Sequence, residues 1–442
     1  MMRRLGQRER RGFATVMVFG IIIVAAVIIS MIQSSAFSQA AAGRESLARV
    51  RATWAARAGV EATLARLEYA TENPEPGDAF KLLDDMVEIS DGVLISASYR
   101  IATTDGNKEV PGPADAHAKL NINRMTRDQF LEIEPFMTED IADSILDWID
   151  GDDEPNALGA ESPYYMSLPY SYIARNGPMQ SIMELELVAG VDQRDMRGED
   201  WNLNGLLDPN ENDGEATWPP DNADGILDMG WAGIMTVASI DGGLGVSGEP
   251  RLDLKVASES DIVTRTTVTG DQAKIIVDYV ANTDEAKMTD FISRSLRSLG
   301  AQPGQQPPRV EALTDEQLGL LLDECEIAAA EATTVIPGKL NINTCPAEVM
   351  RFIPEIGDEM ADAIISERSG RVDGFTSIVD LLTIPGMNRR QLATLYELLT
   401  VRSNVYVVTS RGRDSRTGLE VEITATLDRS TVPVVIKEVR VR

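Results

Sequence analysis

Histidine and cysteine are nearly absent from this sequence, which has one histidine, His117, and two cysteines, Cys325 and Cys345. No Cys/His zinc spacing and no histidine-based catalytic triad can be drawn from so few side chains. Basic residues are also scarce, because 41 Lys and Arg face 70 Asp and Glu and leave a formal net charge of −29. A surface with this charge repels a phosphate backbone, so broad nucleic-acid binding is disfavoured.

The chain is long enough for two or three domains, with 442 residues against roughly 150 residues for an average domain. Its 43% apolar and 25% charged residues are typical of a globular protein. The two cysteines leave two alternatives open. In an oxidising compartment a disulfide between Cys325 and Cys345 would add about 3 kcal/mol of stability, and otherwise the two thiols are free and buried.

The N-terminus joins a basic stretch to an apolar one. Residues 1–12 carry five arginines and one glutamate, and no charge follows from Phe13 to Ile32. At 1.5 Å per residue this uncharged segment spans roughly 30 Å of hydrocarbon. The basic end belongs in the cytoplasm by the positive-inside rule. We therefore expect one membrane span, with everything after Ile32 outside the cytoplasm.

Three interpretations of this segment compete. A signal peptide cut after Ser38-Gln39-Ala40 would need an apolar core of about 7 to 15 residues, shorter than this one. A permanent signal anchor has a suitable length. The third interpretation starts from Gly12 and Phe13, which stand where the basic leader meets the apolar helix. This junction resembles the processing site of type IV prepilins and pseudopilins, in which a membrane peptidase cuts after the glycine and the new N-terminus is methylated.

The residues beyond the membrane segment favour the third interpretation. Residues 41–68 are rich in Ala, Arg, Glu and Leu, have apolar positions at helical spacing and contain no proline. The helix is predicted to run without a break from Phe13 to about Glu68, over about 85 Å. A stem of this kind needs lipid or the stems of neighbouring filament subunits to cover its apolar surface.

Strand patterns lie near both ends of the remaining chain. Residues 71–80 end the helix with two prolines and a glycine, and residues 92–101 alternate like a strand. Three further antiparallel strands are predicted at Asn404–Thr409, Leu419–Leu427 and Val432–Val441. With helical material between them, these strands predict one β-sheet interrupted by a large insertion.

The predicted insertion contains an internal repeat. Lys119-Leu120-Asn121-Ile122-Asn123 returns as Lys339-Leu340-Asn341-Ile342-Asn343, and similar blocks follow each copy. Two related helical units, 119–195 and 339–400, are expected.

Glycine turns in the second unit resemble helix-hairpin-helix motifs, which in DNA-binding versions aim backbone N–H groups at a phosphate. Residues 339–400 carry six basic and nine acidic side chains, so packing is favoured over DNA binding. Arg389 and Arg390 are the features that point the other way.

The stretch Asp147-Trp148-Ile149-Asp150-Gly151-Asp152-Asp153-Glu154-Pro155, followed by Gly159-Ala160-Glu161-Ser162-Pro163-Tyr164-Tyr165, resembles the signature of general secretion pathway protein K, a minor pseudopilin family of type II secretion. The resemblance implies an α+β, pilin-like fold: a long N-terminal α-helix and a small antiparallel β-sheet, interrupted by a large α-helical insertion with helix-hairpin-helix-like repeats. It implies a non-enzymatic protein that initiates and caps the pseudopilus tip. The implied partners are other minor and major pseudopilins, the prepilin peptidase and the inner membrane, with no nucleic acid.

This family implies a division of the chain into five parts. They are a leader (1–12), a transmembrane and stem helix (13–70), the first part of the β domain (71–118), the inserted helical domain (119–400) and the C-terminal strands (401–442). Two alternatives remain: a minor pilin of a type IV pilus and, less favoured, a helix-hairpin-helix protein for DNA uptake.

The residue five positions after the predicted cut is Met17. Pilins and major pseudopilins resemble one another in having a glutamate there, which compensates the amine of the subunit ahead, because a buried charge is costly unless it is paired. A subunit with nothing ahead of it needs no such partner, and the K family also lacks the glutamate. Met17 therefore favours a tip position.

A calcium loop is predicted from Asp200 to Glu211. Oxygen-bearing residues stand at EF-hand spacing, with a glycine at position six. The predicted ligands are Asp200, Asn202, Asn204, the carbonyl of Leu206, Asp208 and Glu211. The alternative is a plain Asx-Gly turn. Calcium in the helical domain of the K family supports the site, as it supports a poorer match at Asn222, Asp224, Gly225 and Asp228, where Pro220 takes the first position.

One acidic run offers a candidate catalytic site. Asp147, Asp150, Asp152, Asp153 and Glu154 supply enough carboxylates for a hydrolytic pair. Turn capping or packing is the favoured explanation, and an enzyme is the third choice.

Overall fold

The structure is a computed structural model that describes residues 10–105, 108–133, 137–301, 306–328 and 336–442. Its helices are α1 (Arg10–Glu72), α2 (Lys81–Glu88), α3 (Arg127–Leu131), α4 (Glu139–Ile149), α5 (Ser162–Met166), α6 (Gln193–Arg197), α7 (Gly230–Ile234), α8 (Glu259–Thr266), α9 (Gly270–Ala281), α10 (Met288–Ser293), α11 (Leu296–Leu299), α12 (Asp315–Glu324), α13 (Ala347–Arg351), α14 (Gly357–Gly370) and α15 (Arg389–Leu398). Short 3-10 turns lie at Ala116–Ala118, Ile122–Arg124, Ile182–Leu187, Pro209–Glu211 and Ile378–Thr383.

The strands are short in the middle of the chain and long near its end. They are β1 (Asp91–Val93), β2 (Ala97–Asp105), β3 (Lys108–Pro111), β4 (Ala114–Asp115), β5 (Leu120–Asn121), β6 (Met235–Thr236), β7 (Leu252–Asp253), β8 (Cys325–Glu326), β9 (Leu340–Asn341), β10 (Leu399–Thr400), β11 (Val405–Asp414), β12 (Glu420–Asp428) and β13 (Val435–Val441).

One antiparallel sheet joins the two ends of the chain. Its strand order is β1-β2-β11-β12-β13, with β3 beside β2 and β4 beside β11. The closing pair is β2 with β11, in register at Ile101 opposite Ser410. The chain between β4 and β11 leaves this sheet and forms a separate, mostly helical body, so the predicted α+β fold with a large insertion is confirmed.

Helix α1 changes character along its length. It is 63 residues long and ends at Glu72, two residues beyond residue 70, the predicted end of the stem. Residues 14–47 are exposed on every side, and burial begins at Ala48. From there a stripe of mostly small side chains faces the sheet: Ala48, Ala52, Ala55, Ala56, Val60, Thr63, Leu67 and Thr71. Small side chains at this contact let the helix and sheet backbones approach closely.

Gly412 of β11 shows how close that approach is. A Cβ atom built at Gly412 would lie 2.0 Å from the carbonyl oxygen of Ala52 and 2.3 Å from the backbone nitrogen of Ala56. The predicted strand Asn404–Thr409 was too short at its C-terminal end, because β11 continues through residues 410–414. These residues pair with both β2 and β12, and Gly412 opposite α1 makes that pairing sterically possible.

The internal repeat is visible in the hydrogen bonds. The strand β5 pairs in parallel with β6, and the equivalent β9 pairs in parallel with β10. In the first unit Asn123 exchanges two hydrogen bonds with the backbone of Met179, at 2.9 and 2.7 Å. In the second, Asn343 exchanges two with the backbone of Phe375, at 2.9 and 2.8 Å. The two asparagines therefore anchor equivalent turns.

Two hydrophobic cores result from this arrangement. The smaller one fills the space between α1 and the sheet, with Val60, Leu67, Ile101 and Val408 among its members. The larger one runs through the insertion and includes Phe130, Trp148 and Phe375. Because each part buries its own apolar residues, the insertion is a second domain built into the pilin-like one.

Candidate functional site

The exposed half of α1 is the first candidate site. Residues 14–72 include an 18-residue window with a mean hydropathy of 2.9, none of it buried, so the helix is long and apolar enough to cross a membrane. The predicted leader residues 1–9 lie outside the described residues. Gly12 and Phe13, the predicted cleavage pair, lie on the backbone of α1 near its first turn.

The predicted calcium loop is compact and folded back on itself. The carboxylate of Asp200 accepts backbone hydrogen bonds from Asn204 and Gly205, at 3.0 and 2.9 Å. At the other end, Glu211 accepts from the backbone of Trp201 and of Asp208, both at 3.1 Å. Gly205 has φ +70°, the left-handed conformation that its position in the turn requires. These hydrogen bonds tie both ends of the loop to its own backbone.

This loop also joins the insertion to the pilin-like sheet. Arg411 of β11 donates to Asp208 at 2.6 Å and to Glu422 of β12 at 2.9 Å. Asn204 donates to the same Glu422 at 3.1 Å, and its own carbonyl accepts from Thr409 at 3.2 Å. The predicted ligands Asn204 and Asp208 are thus tied to side chains from the end of the chain, which the sequence pattern did not reveal.

The charges at the loop are poorly solvated. Burial raises the pKa of Glu211 to about 7, and the nearby carboxylates of Asp200 and Asp208 add to the shift. Burial also raises the pKa of Asp200. The ammonium of Lys119, whose own pKa is lowered by burial, opposes that shift through its charge. A bound cation would favour the ionised carboxylates.

The residues of the loop fit calcium by their chemistry. Carboxylate, amide and carbonyl oxygens are the ligands that calcium prefers. The side-chain oxygen of Asn202 is buried and accepts no hydrogen bond from the described residues. The amide groups of Asn202 and Asn204 both donate to Asp208, at 2.7 and 3.0 Å, so they must rotate before their oxygens can face an ion. The donor set of the loop thus fits calcium, with both amide groups held by Asp208 in this conformation.

The poorer match forms ordinary turns. Asn222 accepts from the backbone of Asp224, and Asp224 accepts from the backbone of Ile226. Asp228 accepts from the backbone of Gly230 in the same manner. Each side chain satisfies a nearby backbone N–H group, as Asx turns do.

A carboxylate cluster appears where sequence reasoning expected only capping. Asp147 and Asp150, from the end of α4, meet Glu161, the residue before α5. One oxygen from each of the three carboxylates lies within 4.8 Å of the others. Burial, followed by the charges of Asp147 and Asp150, raises the pKa of Glu161 to about 7. The sequence pattern indicated the two aspartates but not Glu161 as their partner.

The other three acidic residues of the run, Asp152, Asp153 and Glu154, lie in turns. Asp152 accepts from the backbone of Glu154 at 2.9 Å, and Asp153 accepts from the side chain of Asn176 at 2.9 Å. All three acidic residues of this run are exposed. They lie on the outside of the loop, which agrees with the turn-capping explanation.

Both cysteines are free and buried in this structure. The two cysteines lie at different two-stranded sheets. Cys325 is in β8, which pairs with β7, whereas Cys345 comes after β9, which pairs with β10. Burial raises the pKa of each thiol to about 12, so neither is a reactive thiolate near neutral pH.

The chain can now be compared with known proteins. A family model of type II secretion system protein K matches residues 107–198. Type II secretion system protein K of Klebsiella pneumoniae is 34% identical over 88 residues, which are 20% of this chain and 25% of that protein. Over this stretch the chain is similar to type II secretion system protein K.

A second relative has the same description. Protein K of Pectobacterium carotovorum subsp. carotovorum is 44% identical over 54 residues, 12% of this chain and 16% of that protein. The chain thus matches a quarter or less of the length of these relatives. A chain in the crystal structure of the GspK–GspI–GspJ complex from the enterotoxigenic Escherichia coli type 2 secretion system has a TM-score of 0.46 at 13% identity, over 90% of this chain and 99% of that one.

A helix-hairpin-helix model matches residues 337–400, so the predicted motif is confirmed in this relative of protein K. Its glycines have positive φ, +67° at Gly357 and +92° at Gly386. Arg389, one of the two residues that favoured DNA binding, donates to the carboxylate of Asp315 at 2.8 Å. The hairpin packs helix α15 against its neighbours, and this arginine helps to hold it there.

Proposed function

We propose that this protein is a minor pseudopilin of a type II secretion system, which initiates and caps the tip of the pseudopilus for protein export. The observation that carries the proposal is the protein K match at residues 107–198, in a chain whose apolar stem helix packs against a pilin-like sheet. The proposed role is structural, and no catalytic step is part of it.

The stem supports an anchored protein. Residues 14–47 of α1 are exposed, and most of the first half is apolar. Before assembly this surface would lie in the inner membrane, with the sheet and insertion in the periplasm. In the pseudopilus it would pack against the stems of other minor and major pseudopilins.

Processing tests this proposal. A prepilin peptidase is expected to cut between Gly12 and Phe13, so N-terminal sequencing of protein extracted from membranes should begin at Phe13. Gly12→Leu should block the cut, whereas Gly43→Leu, further along the exposed stem, should leave it unchanged. A mature N-terminus near Ala41 would indicate an ordinary signal peptide and contradict the proposal.

The proposed tip position leads to a separate prediction about assembly. The insertion and Met17, which stands in place of a glutamate, both favour a subunit with nothing stacked above it. The full-length protein should therefore not form filaments by itself and should co-purify with smaller minor pseudopilins of the same cell. Filaments made of this protein alone would rule out the tip assignment.

The two alternatives have their own tests. A minor pilin of a type IV pilus would share the leader and stem but would be encoded beside a retraction ATPase. A DNA-uptake protein would retain DNA on filters at low salt. The pairing of Arg389 with Asp315 and the acidic character of residues 339–400 speak against the second of these.

We also propose that calcium stabilises the insertion through Asp200, Asn202, Asn204, Asp208 and Glu211, with the Leu206 carbonyl. Extracytoplasmic calcium is near millimolar, so a site with a Kd of ~10⁻⁴ M would be about 90% filled and would add about 1.4 kcal/mol. Thermal melts of the full-length protein with calcium and with chelator measure this. A calcium-dependent rise in Tm that is as large in Asp200→Asn with Glu211→Gln as in the parent would show that the loop is only a turn.

A further inference from the structure

The tip of the β1–β2 hairpin exposes three consecutive apolar side chains. Val93 is 89% exposed, Leu94 is 41% exposed and Ile95 is fully exposed. A hydrogen bond of 2.8 Å from the backbone of Leu94 to the carbonyl of Ala97 closes the turn, so the three side chains are held in place. Single exposed apolar residues are ordinary on a soluble protein, whereas a contiguous group of them marks a contact surface.

The hairpin tip lies at the end of the sheet from which the apolar half of α1 emerges. Ala97 pairs with Asp414, whose carboxylate lies 3.5 Å from the guanidinium of Arg51 on α1. Four residues further along β2 the partner is Ser410, and its Oγ would lie 2.4 Å from a Cβ built at Gly59 of α1. Strand β2 therefore runs away from the membrane segment, and the residues before Ala97 extend toward it.

The uncharged part of α1 ends close to the level of this tip. Residues 13–43 carry no charged side chain and measure about 46 Å as a helix. A bilayer with its headgroups is about 40–45 Å thick, so Arg44 emerges among the headgroups when this segment spans it. Arg51 follows Arg44 by about 10 Å along the helix, and Ile95 extends about 7 Å back from Ala97. The hairpin tip therefore stands near the headgroup surface.

Free arginines flank the tip, in a protein whose net charge is −29. Arg44 and Arg416 are exposed, and neither side chain forms an ion pair with any of the described residues. Arg416 belongs to the turn beside the hairpin, where the backbone of Ser415 donates to the carbonyl of Ser96 at 3.0 Å. Guanidinium groups bind phosphate oxygens well, so this end of the sheet suits a surface that carries phosphate.

The exposed acidic residues nearest in sequence to these arginines are already paired. Glu45 lies 3.8 Å from Arg49, and Glu420 lies 3.6 Å from Arg413. Their charges are compensated by those two arginines. The guanidinium groups of Arg44 and Arg416 therefore remain available to an anionic surface.

We propose that the hairpin tip, residues 93–95, rests on the membrane surface before assembly, with Arg44 and Arg416 on anionic phospholipid headgroups. The contact combines buried apolar area with attraction to anionic lipid, as at other interfacial segments. It rests on the proposed function in one respect, because α1 must anchor the protein in a membrane. Lipid is favoured over the apolar stem of a neighbouring subunit, since a guanidinium facing such a stem would be unpaired.

This contact would fix the orientation of the sheet. A single spanning helix leaves the domain that it carries free to tilt and to turn about the helix axis. A second contact, at the hairpin, removes most of that freedom. The insertion, which follows β4 of the same sheet, would then project away from the bilayer.

Fluorescence quenching on the full-length protein in liposomes tests the contact. Ile95→Cys is labelled with an environment-sensitive fluorophore, and the liposomes contain anionic phospholipid and a lipid spin-labelled at its headgroup. Phe37→Cys on the exposed stem reports the anchor, and Val372→Cys, at an exposed position of the insertion, is the matched control. The native cysteines are buried, and the labelled parent gives their background. Emission should fall at least twofold at residues 95 and 37 and by less than a tenth at residue 372.

The stem label separates the two ways in which this experiment can fail. No quenching at residue 37 would mean that the anchor is absent, which contradicts the proposed function together with the hairpin contact. Quenching at residue 37 without quenching at residue 95 would overturn the hairpin contact alone. In that case, protection of residue 95 on adding smaller minor pseudopilins would assign the tip to a subunit interface.

Removal of charge tests the headgroup contact. Arg44→Gln with Arg416→Gln should lower the quenching at residue 95 by at least half in anionic liposomes and leave that at residue 37 unchanged. Arg194→Gln with Arg390→Gln, at two exposed positions of the insertion, is the matched control and should change neither. Equal quenching of residue 95 in anionic and in zwitterionic liposomes would overturn the assignment of the arginines to anionic headgroups.

Discussion

The pilin-like module and the inserted domain differ most in charge. The insertion, residues 119–400, carries 20 basic and 51 acidic side chains and so has a net charge of −31. Residues 13–118 and 401–442, which form the stem and the sheet, carry 16 basic and 18 acidic side chains, a net charge of −2. Nearly all of the negative charge of the protein therefore lies in the domain that interrupts the sheet.

This difference fits what the proposed function would ask of each part. A module that packs against neighbouring stems gains from near neutrality, because like charges brought close together repel. A domain carried at a filament tip has no such constraint and can keep a strongly acidic surface. Inside this domain, burial and the charges of Asp147 and Asp150 raise the pKa of Glu161.

The two parts also differ in how they bury their cores. The pilin-like core depends on the direct approach of α1 to β11, with backbone close to backbone at Gly412. The insertion depends on side-chain hydrogen bonds that anchor turns, such as those of Asn123 and Asn343. Substitutions in the two parts should therefore fail for different reasons.

The largest effect is expected from Gly412→Ala. Its Cβ would overlap the backbone of α1, so either the helix or β11 must move, at a cost of about 3 kcal/mol or more. Thermal unfolding of the purified protein measures the loss. Gly270→Ala in the insertion is the control, since nothing lies within 4 Å of a Cβ there. Equal melting of the two variants would contradict the close packing of α1.

The second-largest loss of stability is expected at the anchoring asparagines of the two repeats. Asn343→Ala removes three buried hydrogen bonds, two to Phe375 and one to the carbonyl of Val401 at 2.9 Å, and should cost roughly 2–3 kcal/mol. Asn123→Ala removes only the two to Met179 and should cost roughly 1–2 kcal/mol. Urea unfolding gives both values. The reverse order would mean that the repeats are not held in the same way.

The third effect concerns the contact between the loop of residues 200–211 and the sheet. Arg411→Gln leaves Asp208 and Glu422 without their shared guanidinium and should lower the free energy of unfolding by about 1–2 kcal/mol in chelator. Calcium should recover part of this loss, since an ion at the loop would again compensate Asp208. Arg413→Gln, whose side chain is exposed beside Glu420, is the control and should change little.

The smallest effect is a pH dependence at Asp414. Hydrogen bonds from the backbone and side chain of Thr417 hold the pKa of Asp414 below its usual value, and Arg51 of α1 adds to this. The ionised carboxylate is therefore stabilising above pH 3.8, and this contribution is lost as the pH falls through the lower folded-state pKa. Asp414→Asn should melt below the parent at pH 7, and the difference should narrow below pH 3.8. A difference in Tm between Asp414→Asn and the parent that stays constant with pH would show that the effect comes from packing.

The sequence by itself determined the parts of this protein that depend on neighbouring residues. Twenty uncharged residues after a basic leader, and no proline before Asn73, were enough to predict α1. Alternating apolar residues predicted β12 and β13, and the repeated Lys-Leu-Asn-Ile-Asn motif predicted two related units. Helical spacing, strand alternation and short motifs are local patterns, so they can be read along the chain.

Only the tertiary structure decided which distant residues meet. It brought Arg411 and Glu422 to the loop of residues 200–211, and it placed Glu161 beside Asp147 and Asp150. No local pattern carries this information, because side chains far apart in the chain come together only when the sheet closes and the helices pack. Burial then changed what these groups do, since a carboxylate that would be solvated in an open loop needs a partner once water is excluded.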